Sequence, residues 1–185
     1  MSAVHDRAST SLVGLDVFVG GPIQHAIRDD GFWPPLHDWI QLAISTLSAH
    51  EAHIFSAHVV EEFGDRTAEY TPDQVTARDL RWMSKCDVFV PILPLDMDGK
   101  LLRTDGTHIE LGWATALGRP VVLLTTSPVV ESASHLVKGL STIADVQLLD
   151  LDSFAAAPEL LVGHVLTATS RRREAAAGPR GRAAV

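Results

Sequence analysis

Residues 71–93 read TPDQVTARDLRWMSKCDVFVPIL, and the two halves of this stretch follow different patterns. Thr71 is an N-cap residue and Pro72 suits the first helical position, so the spacing predicts a helix over Pro72–Lys85. From Asp87 to Leu93 the chain is an almost unbroken apolar run with β-branched members, which is how a strand covered on both faces reads. The same alternation continues outward in both directions. Short apolar runs at Leu15–Val19, His53–Ser56, Pro120–Thr125 and Val146–Leu149 alternate with helical patterns at Leu36–Ala49, Thr107–Leu117 (closed by Gly118), Ser132–Leu140 and Ser153–Thr169. This order predicts an α/β fold: an open, mostly parallel five-stranded sheet with helices on both faces. Its ligand crevice is expected beyond the carboxyl ends of the strands.

The composition fits that reading. The chain has 185 residues, 46% hydrophobic and 21% charged, enough apolar material for one core and unlike a disordered, collagen-like or disulfide-stapled protein. We expect a flexible arm over 1–13, a single domain over 14–170 and a disordered arginine-rich tail over 171–185. The lone cysteine, Cys86, has no internal partner, and no charged-then-apolar leader precedes the first strand, so a cytoplasmic location is expected. No apolar run approaches the roughly 20 residues that cross a bilayer, and no membrane association is expected. The net charge is −8, yet Arg171, Arg172, Arg173, Arg180 and Arg182 all lie in the tail, so the body is more acidic still. Such a body repels nucleic acid, and any anionic ligand must be met by a few local donors.

Candidate chemistry gathers at strand exits. Gly20, Gly21 and Pro22, followed by Ile23 and Gln24, allow close backbone approach of a ligand or simply form a tight turn. The stretch has neither GxGxxG nor GxxxxGK[ST] spacing, so no dinucleotide or P-loop site is supported. Residues 104–114, TDGTHIELGWA, open a helix after a loop. Glu110 is placed in its first turn, where the helix dipole favours the ionised, nucleophilic form, and Gly106 leaves room beside it. An acidic residue there is also a common stabilising device. Asp79 is a second carboxylate, with Arg78 and Arg81 beside it to hold it ionised. His50, His53, His58 and Glu51 cluster around one strand without HxxxH or HExxH spacing, so no metal site is expected. Phe32 and Trp33 suit either base stacking or a hydrophobic clamp, whereas Trp82 and Trp113 read as packing.

Together the segments GGP, RDLRWMSKCDVFV and GTHIELGWATALGRPVVLL resemble the nucleoside 2-deoxyribosyltransferase-like superfamily, a Rossmann-like fold, from about Asp16 to Leu149. Within it they look most similar to CMP and 5-hydroxymethyl-CMP hydrolases of nucleoside-antibiotic pathways. The resemblance implies a glutamate nucleophile at Glu110 that attacks the anomeric carbon, with Asp79 contacting the sugar and assisting the departing base. It implies substrate contacts from Phe18, Gly20, Gly21, Pro22, Gln24, Thr104, Gly106 and Ser134. Phe18 stands where deoxyribosyltransferases have tyrosine, which leans towards ribonucleotides. Thr104, a hydroxyl where they have aspartate, favours a 5′-monophosphate. Ser134 implies a homodimer with shared sites. Gln24 departs from the arginine of the nucleotide hydrolases, leaving Arg28, His25 and Arg103 as replacements. The implied function is N-glycosidic hydrolysis of a nucleoside 5′-monophosphate, with no metal or organic cofactor. The alternatives are a deoxyribosyltransferase and a nucleotide-binding sensor.

Overall fold

The structure, a computed structural model, describes residues 11–177. Five strands form one sheet: β1 (Asp16–Gly20), β4 (His53–Phe55), β5 (Val88–Pro91), β6 (Val121–Thr125) and β7 (Val146–Asp150), in the order β4-β1-β5-β6-β7. Every pairing is parallel, with Phe18 beside both Phe55 and Phe89 and Val121 beside Val146. A separate two-stranded hairpin, β2 (Ile27–Arg28) and β3 (Gly31–Phe32), occupies the region read as a loop; Asp29 and Asp30 form its turn, and Gly31 leaves it at φ +119°.

Side-chain alternation splits the core into two layers. Val17, Val19, Val88, Val90, Val122 and Leu124 pack under α1 (Pro34–Ala49), α6 (Leu151–Ala156) and α7 (Glu159–Ala177). Phe18, Phe89, Val121 and Leu123 pack on the other face under α3 (Pro72–Lys85), α4 (Asp105–Ala116) and α5 (His135–Lys138). Both faces of each strand are therefore buried, which is why the strands read as continuous apolar runs rather than alternating ones.

Local signals explain most element ends. Thr71 caps α3 in a reciprocal box: its Oγ1 accepts from Gln74 N at 3.3 Å while Gln74 Oε1 accepts from Thr71 N at 2.9 Å. Gly118, at φ +60°, ends α4 in the left-handed region. Among the boundaries that differ from expectation, four have a local explanation. Helix α4 starts at Asp105, not Thr107, because Thr104 is the N-cap and its Oγ1 accepts from Thr107 N at 3.3 Å. The pattern at Ser132–Leu140 becomes the short α5 and a 3₁₀ turn, Leu140–Thr142, since Ser134 caps at its own position. The pattern at Ser153–Thr169 is two helices, broken where Pro158 forces Ala157 out of helical geometry (φ −145°).

The fourth boundary concerns the termini. Helix α7 runs past residue 170 to Ala177, and the residues just beyond that boundary are engaged. Arg171 pairs with Asp145 at 3.6 Å, and Arg172 donates to the carbonyls of Cys86 and Asp87 at 3.3 and 3.2 Å. The expected disordered tail is thus ordered at its start, because Arg172 and Arg119 both satisfy carbonyls left open at the end of α3. Arg180 and Arg182 lie outside the described residues. In the expected arm, Leu12 is fully buried and donates its N–H to His50 O at 2.7 Å, so the chain is anchored before β1 begins. Residues 1–10 of that arm lie outside the described residues. No described helix is long and apolar enough to cross a membrane.

Candidate active site

The strand order changes direction between β1 and β5, and in a doubly wound sheet the crevice at that switch opens at the carboxyl ends of the two strands. A cavity of about 410 Å³ lies there, lined by Gly20 and Gly21 at the exit of β1. Gly20 pairs with Pro91, and a Cβ on it would stand 3.2 Å from Glu110 Oε2 and 3.0 Å from Phe89 Cε2. On Gly21 a Cβ would meet Ile92 O at 3.1 Å. A side chain at either position would be crowded, and its neighbours would have to give by a few tenths of an ångström; neither backbone is strained.

His58 sets the next turn. It sits in α2 (Ala57–Val60), is 1% exposed, and its Nε2 donates to Pro22 O at 3.2 Å. Burial pushes its pKa down to about 4, against the pull of the Pro22 carbonyl and Glu61, so it is neutral near pH 7. His53 pairs instead with Asp16 at 2.7 Å and His50 with Glu159 at 2.8 Å. The histidine cluster seen in the sequence is therefore dispersed among separate partners, and no described group of three potential ligands is arranged to hold a metal ion.

Two carboxylates meet in this cavity from different helices. Glu110 comes from α4 and Asp79 from α3, and both are buried. Because α4 begins at Asp105, Glu110 lies in its second turn, beyond the reach of the helix dipole assumed for it. Its environment acts in the opposite direction. Burial first, and then the charge of Asp79, raises its pKa from the ordinary 4.5 to about 8, with Glu61 adding to the rise and Arg78 opposing it. Burial also lifts Asp79 above the usual carboxylate value, although Arg78 Nε donates to its Oδ1 at 2.7 Å. Burial thus favours the protonated form of Glu110, while the Arg78 guanidinium on Asp79 favours the ionised form of that partner.

Arg78 also donates through Nη2 to Glu61 Oε1 at 2.6 Å, and Glu61 is 2% exposed. The rings of Tyr70 and Trp82 lie over its guanidinium at 5.4 and 4.9 Å. Glu61 and Tyr70 were not singled out from the sequence, and neither was the bridging role of Arg78. Nothing in the EEFGDR stretch marks Glu61, because its significance depends on α3 passing beside it.

The rim is formed by Gln24, His25, Arg103, Asp105 and Gly106. Arg103 pairs with Asp105 at 3.0 Å, which holds the exposed Asp105 carboxyl below its usual value and offsets its charge at the start of α4. The Thr104 hydroxyl is engaged in the cap and donates to Thr107 Oγ1 at 2.8 Å. Arg28 is drawn off to stack over Trp33 at 5.0 Å and does not line the cavity. Phe32 and Trp33 do not line it either. Phe32 packs on His58 and Phe63, and Trp33 on Trp39, the clamp alternative of the two. Trp82 stacks on Phe55 at 5.7 Å, as packing. Phe18, fully buried and 5.1 Å from Phe89, forms the floor. Ser134 lies elsewhere, capping α5 through Val137 N at 3.3 Å.

Residues 29–140, which carry Asp79, Glu110 and the loops between them, match the family described as nucleoside 2-deoxyribosyltransferase. The chain belongs to the nucleoside 2-deoxyribosyltransferase family. Among solved structures, this family member is similar to BlsM in solution, with a TM-score of 0.65 and 26% identity over 92% of this chain and 99% of that one. It shares its fold with a CMP N-glycosidase of Clostridium botulinum, BcmB, at a TM-score of 0.53 and 22% identity over 78% of this chain and 98% of that one. No curated protein sequence matches it.

Proposed function

We propose that this member of the family is an N-glycosidase that hydrolyses the N-glycosidic bond of a nucleoside 5′-monophosphate, releasing free base and ribose 5-phosphate, with CMP or a 5-substituted CMP as the leading substrate. The observation that carries this reading is the burial of Glu110 and Asp79 in one cavity, where desolvation and the neighbouring carboxylate raise the pKa of Glu110 to about 8. Glycosidic cleavage needs such a pair: one carboxylate to attack the anomeric carbon and one acid to protonate the leaving group. Substrate binding moves the proton of Glu110 to Asp79. In the first step the freed Glu110 carboxylate then forms an ester to C1′ as the C1′–N bond breaks and Asp79 gives that proton to the base. In the second, water attacks C1′, the ester pair returns to Glu110, and the water proton goes to Asp79. Neither step requires a metal or an organic cofactor.

The 5′-phosphate fits the N-terminus of α4, whose first amides have no intrahelical partner. Gly106 is open there, with nothing within 4 Å of a Cβ position, and Arg103 and His25 flank it on the rim. Phe18 offers no hydroxyl to the 2′ side of the sugar, which supports ribose. The similarity to a CMP N-glycosidase agrees with that choice. Ser134, outside its own cavity, serves the neighbouring site of a homodimer in this reading. The family's deoxyribosyltransferase chemistry is the second reading, supported by the match over 29–140. In that case a second base, rather than water, resolves the Glu110 ester.

Chromatography of the protein incubated with ribo- and deoxynucleoside monophosphates and free nucleosides, beside a Glu110→Gln control, tests both. Free base with ribose 5-phosphate from one monophosphate, absent in the control, supports hydrolysis. Turnover of deoxynucleosides only when an acceptor base is added supports transfer instead. Intact nucleotide binding with no turnover across the panel would leave a sensor.

A further inference from the structure

The hydrogen bonds of Arg78 are unequal. Nε reaches Asp79 Oδ1 at 2.7 Å and Nη2 reaches Glu61 Oε1 at 2.6 Å, whereas the second contact to Asp79, from Nη2 to Oδ2, is stretched to 3.4 Å. A guanidinium facing a lone carboxylate ordinarily closes two parallel short bonds. Here Glu61 has taken the second arm. Glu61 is itself fixed, since Thr67 Oγ1 donates to its Oε2 at 2.8 Å, and the rings of Tyr70 and Trp82 restrain the guanidinium between the two acids.

We propose that Glu61 is a positioning residue: by drawing Arg78 Nη2 to itself it leaves Asp79 Oδ2 without a strong partner, and Oδ2 is the atom that hands the proton to the departing base. This rests on the N-glycosidase reading of Asp79. The proton on Oδ2 passes to the base as its C1′ bond breaks, and the attacking water restores it in the second step. The charged groups acting on Asp79 are Arg78 on its own helix and Glu61 at the end of α2, and Asp79 in turn acts on Glu110 from α4; among the described residues β1 lines this cavity with Phe18 and Gly20. Tyr70, over Arg78, keeps its hydroxyl on Val60 O at 3.5 Å. Without the Glu61 side chain, Arg78 is free to chelate both oxygens of Asp79, and a chelated carboxylate is a poor proton carrier.

The test compares Glu61→Ala with Glu61→Gln in the full chain, following the Asp79 carboxyl carbon by 13C NMR across pH alongside the pH profile of kcat/KM. Both variants remove the charge, but only glutamine keeps an acceptor for Arg78 Nη2. The expected result is a fall in the Asp79 titration point and a loss of kcat/KM of at least about tenfold in Glu61→Ala. Glu61→Gln should restore most of both. Equal shifts in the two variants would reduce Glu61 to a like-charge neighbour and overturn the proposal, as would an Asp79 titration that moves in neither. Should Glu61→Ala fail to fold, Thr67→Val loosens Glu61 alone and is expected to move Asp79 in the same direction by less; no movement there also overturns it. If wild type cleaves no nucleotide while the variants still separate by NMR, the activity reading falls and the partition of Arg78 stands without it.

Discussion

A Cβ on Gly20 would stand 3.2 Å from Glu110 Oε2. The last residue of the first strand therefore borders the buried carboxylate of α4, and a side chain there would crowd it. Gly20→Ala should displace the Glu110 carboxylate by a few tenths of an ångström and press on the Phe89 ring, which is 3.0 Å from the same point. Because glycosidic attack is sensitive to alignment, a loss of kcat of about tenfold or more is expected with the fold retained. Steady-state kinetics beside a thermal melt check it; unchanged kcat would mean that Glu110 is not the attacking group.

Glu110→Gln separates chemistry from stability. Turnover should fall by several orders of magnitude with nucleotide binding intact, and an active variant would remove Glu110 from the nucleophile's role.

The same substitution should stabilise the protein near neutral pH. Burial raises the pKa of Glu110 in the folded state to about 8 from 4.5, so between those values the folded state holds a proton that the unfolded state has released. Stability attributable to this group is thus highest below pH 4.5 and declines as pH rises towards 8. Glutamine has no such penalty. Its advantage over wild type is expected to be on the order of 3 kcal/mol at pH 7 and to vanish at pH 4. Melts of both proteins at the two pH values measure it, and a constant difference would contradict the assigned burial cost.

Activity should depend on pH through the pair rather than through either acid alone. The working state carries one proton, needed on Asp79 and stored on Glu110 in the empty site. Above about 8 that proton is lost and kcat/KM should fall. A profile that keeps rising through pH 9 would show that no acid is required and that Asp79 is only a contact.

If Ser134 completes the neighbouring site, mixing Glu110→Ala and Ser134→Ala proteins should recover part of the activity that each has lost, through hybrid dimers with one intact site. Native mass spectrometry verifies subunit exchange. Exchange without recovery would place Ser134 outside the site.

Leu12 offers a check on the first residues of the fold. It is fully buried in the layer under α1 and α7, so Leu12→Ala should cost about 2–5 kcal/mol, a value that a frayed arm would not produce. Urea denaturation of the two proteins decides.

The local code was readable from residues that act on near neighbours. Thr71 with Pro72 starts α3, Gly118 ends α4, and the apolar runs mark each parallel strand, because capping and two-sided burial are determined within a few residues or by the strand's own composition. Gly20, Gly21, Asp79 and Glu110 could be picked out as chemistry-bearing types beside strand exits, and all four line one cavity. What the sequence could not decide was charge state and partnership. Glu110 reads as ionised by a helix dipole, yet burial beside Asp79 puts a proton on it. Glu61 reads as one acid in a polar run, yet it holds Arg78 from across the turn. Phe32 and Trp33 read as ready to stack on a base, yet they are consumed by His58, Phe63 and Trp39. These outcomes depend on desolvation and on contacts between segments far apart in the chain, and both exist only once the sheet and its helices have closed around the cavity.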